Sequence, residues 1–160
     1  MRGIDQALVD EVWRETAAFP PGRVKVEARE FLARQPHVAA FCQTETREQD
    51  AVVQKAAMGL CFLLFRILER SLGQPFPLLE EGRIAAAHEA TTEWLGRIES
   101  ADPEAVLKAA DDPAHPTLIG YILSVFYGDR AGECDERVRA SLFLMLRTLS
   151  DALDLGEVEA

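Results

Sequence analysis

The chain has 160 residues, 48% hydrophobic and 28% charged, with a formal net charge of −10. That size and balance fit one globular domain and exclude a disordered, collagenous or disulfide-stapled chain. Residues 1–75 carry ten basic and ten acidic side chains, so the acid excess lies after residue 75, which disfavours nucleic acid and anionic membrane surfaces as partners.

Three cysteines, Cys42, Cys61 and Cys134, form no C-x-x-C pair and no Cys/His cluster. With no secretory pattern at the start, the expectation is a cytoplasmic protein with reduced thiols. The longest unbroken apolar run, residues 56–65, is about half the ~20 residues that a membrane span needs, so none is expected.

The first helix is predicted over residues 4–18, with Ile4, Leu8, Val12 and Trp13 on one side and Pro20-Pro21-Gly22 ending it. Val24, Ala28, Phe31 and Leu32 share a face at helical spacing, which predicts a second helix. Thr46 and Gln49 match a capping box, and no breaker follows until Gly73. A long helix is therefore predicted over residues 46–72, about 40 Å long. Its second half, residues 60–68, is apolar on nearly every side, as a central helix must be. Arg66 interrupts it and needs an acidic partner or a route to water.

An apolar connection, residues 75–79, leads to a helix over residues 80–99 with the seam Ile84, Ala87, Thr91, Trp94 and Ile98. Asp102-Pro103-Glu104 opens a short helix to about residue 110. A second all-round-apolar helix is expected over residues 117–127. The last helix, residues 135–153, repeats Val138, Leu142, Met145, Leu149 and Ala152. Residues 156–160 are expected to fray. The sum is an all-α, compact single-domain bundle (residues 1–155) of six to eight helices around the long central one.

No catalytic constellation emerges. The di-metal pattern of helical bundles needs Glu-x-x-His pairs, and Arg34, Ala85 and Asp112 stand three before His37, His88 and His115; no metal or other cofactor is expected. Cys61 lies where burial makes a thiol inert. Acid pairs at residues 80–81 and 111–112 sit where acids stabilise helix starts. The glycines fall at predicted helix ends.

The leading expectation is a non-catalytic protein, not an enzyme, acting through protein–protein contacts as an adaptor, regulator or assembly factor, its partner another protein or a second copy of itself in a homodimer. Phe76 and Leu79 in the apolar connection, and Phe143 and Leu146 on the wide apolar side of the last helix, are the candidate interface residues. The alternative is a small-molecule-binding or enzymatic bundle. Its apolar pocket would lie between helices 57–68 and 117–127, with Arg66, His88, Tyr121 and Tyr127 as its polar groups.

Overall fold

The computed structural model describes residues 4–97 and 136–153. Among them are six helices and no strand, so the chain is all-α: α1 Gln6–Ala17, α2 Pro21–Arg34, α3 Pro36–Glu45, α4 Ala51–Leu72, α5 Glu81–Gly96 and α6 Glu136–Ala152. The helices expected near residues 102–110 and 117–127 lie outside the described residues.

Local chemistry sets the boundaries. The Asp5 carboxylate accepts a hydrogen bond from the Leu8 N–H at 2.9 Å and caps α1. Pro21 and Pro36 each occupy a first helical position, where the missing N–H costs nothing and the fixed φ suits a helix. A proline also disfavours helical backbone in the residue before it. Gln35 accordingly takes φ −128° and ψ 60° and separates α2 from α3. Sequence patterning did not resolve α3.

The long central helix is shorter than expected. Its 22 residues begin at Ala51, and its cap is Asp50, whose carboxylate accepts from the Val53 N–H at 2.9 Å. The anticipated Thr46–Gln49 capping box does not form. The Thr46 hydroxyl is buried and instead donates to the Cys42 carbonyl at 2.8 Å, finishing α3. Gln54 then reaches back from α4, its amide donating to the Thr46 and Gln49 carbonyls, both at 3.1 Å. At the far end Gly73 adopts φ +75° and its N–H bonds the Glu69 carbonyl at 2.8 Å, the left-handed stop that glycine takes at least cost.

α4 packs against α1, α3 and α6, while α5 lies along α6 and touches α3. Leu60, Cys61, Leu64, Ile67 and Leu68 of α4 are fully enclosed, together with Leu8, Val9 and Val12 of α1 and Leu142, Leu146 and Leu149 of α6. By length and composition α4 could cross a bilayer, with a mean hydropathy of 1.7. In this fold other helices cover much of its apolar surface. The side facing α2 is the exception.

The apolar connection after α4 is tied inward. Gln35, 2% exposed, donates from Nε2 to the Pro77 carbonyl at 2.8 Å and the Phe76 carbonyl at 3.4 Å, while its Oε1 accepts from the Leu79 N–H at 2.9 Å. The Glu69 carboxylate accepts from the Phe76 N–H at 2.9 Å and from Arg34 at 3.1 Å. An irregular apolar segment thereby finds partners for its backbone groups.

Candidate functional site

The second helix holds on to the bundle by little. Phe31 is its one buried residue, its ring set edge-on to Phe62 at 5.9 Å and tilted against Phe65 at 5.6 Å between centroids. Val24 and Leu32 share the Phe31 side of α2, yet they remain 49% and 41% exposed. They face an open groove of about 740 Å³ between α1, α2 and α4.

Each wall follows from helical spacing. Trp13, Thr16 and Ala17 come from one side of α1, with Phe19 from the turn after it. Val24, Ala28, Phe31 and Leu32 form the α2 wall. On α4 the lining positions are Val52, Lys55, Ala56, Gly59, Phe62 and Leu63, with Met58 beside them. Steps of three and four place those residues on a single face. Gly59 opens the floor: a Cβ built on it would meet nothing within 4 Å.

Only three lining residues are polar or charged: Thr16, Glu27 and Lys55. Thr16 turns its hydroxyl to the Val12 and Trp13 carbonyls of its own helix. Glu27 is held by Arg66 at 3.3 Å and Arg23 at 3.6 Å. Arg66 also reaches Glu15 at 3.4 Å, and Arg70 pairs with the same carboxylate. That network joins α1, α2 and α4 at one end of the groove. The Arg70 hydrogen bond above all, then the charges of Arg70 and Arg66 with a further bond from Arg66, hold the Glu15 carboxyl below its usual range, burial opposing them. The Phe19 ring lies under both guanidinium groups, with Arg23 4.1 Å and Arg66 5.7 Å from its centroid. Lys55, on the exposed stretch of α4, has no partner among the described residues.

The residues singled out from sequence do not assemble. Arg66 faces α1 and α2 through Glu15 and Glu27, the first of the two outcomes expected of it. His88 lies on another side, bonding Glu45 at 3.1 Å and meeting the Phe41 ring edge-on at 5.7 Å. Among the described residues the two share no hydrogen-bond, ion-pair or ring partner. Tyr121 and Tyr127 lie outside the described residues, as does one wall of the pocket expected against residues 117–127. The groove found here takes a different neighbour, α2.

The candidate interface residues are largely occupied within the chain. Leu79, Phe143 and Leu146 are 3%, 6% and 0% exposed, and Phe76 packs half-buried with its ring edge-on to Phe65 at 5.6 Å. The apolar width of α6 is absorbed internally: Phe143 packs on Trp94 and Met145 reaches Cys61. Thr148 adds a buried 2.9 Å hydrogen bond to Thr91 of α5. Phe143 and Leu146 are thus covered within the chain, where α5 runs alongside α6.

Cys42 and Cys61, distant in sequence, meet inside the bundle. A hydrogen bond with Cys42, then burial, pushes the Cys61 thiol well above its ordinary range. Among the described residues no three His, Cys, Asp or Glu side chains gather as metal ligands. Comparison with protein-family models, curated proteins and solved structures gives no match.

Proposed function

We propose that this chain is a non-catalytic binding protein whose working site is the groove between α1, α2 and α4, and that its ligand is an apolar small molecule. The observation that carries this reading is the groove itself. Its volume, about 740 Å³, falls inside the roughly 300–1,000 Å³ usual for ligand pockets. Its lining is almost wholly apolar, and Gly59 keeps its floor clear. A helix interior disfavours glycine by about 1 kcal/mol relative to alanine. Space for a ligand gives that residue a reason that packing does not.

Titration with the neutral dye N-phenyl-1-naphthylamine tests the reading. One dye should bind per chain, with Trp13 emission quenched in a Trp94→Phe background. Gly59→Leu, which pushes a side chain into the groove, should weaken binding by at least roughly tenfold, or about 1.4 kcal/mol, with helical content unchanged. Dye binding that ignores Gly59→Leu would sink it.

The exposed Val24, Leu32 and Val52, the last 78% exposed, favour a second reading in which another copy of the chain covers the groove mouth. Light scattering across a wide concentration range decides it. A mass that stays at 17.7 kDa excludes the dimer.

A further inference from the structure

The groove-facing stripe of α4 does not end as it runs. Its middle, Ala56, Gly59, Phe62 and Leu63, is apolar or bare. Continuing in steps of three and four it reaches Arg66 and Arg70 at one end, and Lys55 stands on it at the other. The rise of an α-helix puts about 16 Å between the Lys55 and Arg66 positions. At the far end the guanidinium groups are already engaged: Arg66 and Arg70 share Glu15, while Arg66 and Arg23 share Glu27. The charge of Glu27, the one acid among the lining residues, is thereby neutralised. Lys55 is the one cation among those lining residues, and it has no partner among the described residues.

The whole chain carries −10. The groove lining itself balances, Glu27 against Lys55, but Glu27 is already taken by Arg66 and Arg23. That leaves the Lys55 ammonium as the one lining charge without a counterion among the described residues. A neutral apolar ligand would leave it so; an anion at the mouth would pair it.

Resting on the apolar-ligand reading above, we infer that the ligand is a single-chain fatty carboxylate, its chain along the α4 stripe over Gly59 and its carboxylate paired with the Lys55 ammonium. The ammonium donates and the carboxylate oxygens accept. The pair lies at the exposed end, where a Lys–carboxylate contact shifts affinity modestly and salt weakens it. The apolar chain supplies most of the binding and the charge supplies the selectivity.

The test is displacement of N-phenyl-1-naphthylamine by dodecanoate and by dodecanol, whose extended chains have comparable length, both below micelle-forming concentrations. Dodecanoate should displace the dye at roughly three- to fivefold lower concentration than dodecanol at low salt, and at 0.5 M salt the gap should narrow. Lys55→Gln should abolish the preference. Lys25→Gln, which removes a charge from α2 outside the lining, should keep it. Equal displacement by acid and alcohol in the unmodified protein overturns the carboxylate while leaving the apolar site standing. A preference that survives Lys55→Gln overturns it too, by placing the head elsewhere. A chain that binds neither dye nor amphiphile overturns both readings together.

Discussion

Replacing Gly59 by alanine should stabilise the protein, and replacing Gly73 by alanine should do the reverse. Both glycines belong to α4, one in its interior and one at its C-terminal stop. At Gly59 the backbone is helical and a Cβ meets nothing within 4 Å. No steric cost therefore offsets the propensity gain of about 1 kcal/mol. For a chain of this size that gain corresponds to roughly 2–4 °C in Tm. At Gly73, φ is +75°, and a side chain there carries about 1–2 kcal/mol of strain. Thermal and urea unfolding followed by circular dichroism measure both. An unchanged or lowered Tm for Gly59→Ala would refute the reasoning. It would mean that another part of the chain packs onto residue 59 and that the groove is closed.

Other substitutions probe the framework around the groove. Gln35→Ala strands the Pro77 carbonyl and the Leu79 N–H beneath the apolar connection, so it should cost about 3 kcal/mol in urea unfolding. Leu146→Ala empties a fully enclosed position and should cost about 2–5 kcal/mol. Because Leu146 packs within its own chain, that cost should not vary with protein concentration, as it would at a dimer interface. Glu15 titrates below its usual range because of Arg70 and Arg66. A folded-state pKa that is depressed contributes stability above the unfolded value, near 4.3 for a glutamate, and loses it as pH falls through the folded value. Glu15→Gln should therefore lower stability at neutral pH and flatten the decline below about pH 4.3 in denaturation curves.

The framework was legible where local signals were strong. The all-round-apolar residues 60–68 announced a central helix, Gly73 its end, and the Ile84–Ala87–Thr91 spacing a seam that is indeed buried. The start of α4 was not legible, because two caps competed within five residues. Thr46–Gln49 satisfies the capping-box pattern as well as Asp50 satisfies a simple cap. The choice falls to α3, whose last turn takes the Thr46 hydroxyl. Helix α3 itself was hidden, since His37 beside Pro36 reads equally as loop or helix start.

The groove could not be read from pattern. Val24, Leu32 and Val52 look like core positions, and only the way α2 leans on Phe31 decides that they stay uncovered. Likewise, nothing local says that Phe143 and Leu146 will be covered by neighbouring helices and not by a partner. One signal was present in the sequence. Gly59 departs from the expectation that the glycines mark helix ends: it sits in the interior of α4, far from either end, where no turn or cap requires it.

Methionine methyl groups offer the most direct test of the groove as a binding site. The chain has three methionines; Met58 lines the groove, while Met145, 2% exposed, sits in the core against Cys61. In a carbon-13 methyl-labelled sample titrated with dodecanoate, the Met58 resonance should shift to saturation at one equivalent while Met145 stays in place. A Met58 resonance that does not move, or one that moves no more than Met145, would contradict binding in the groove.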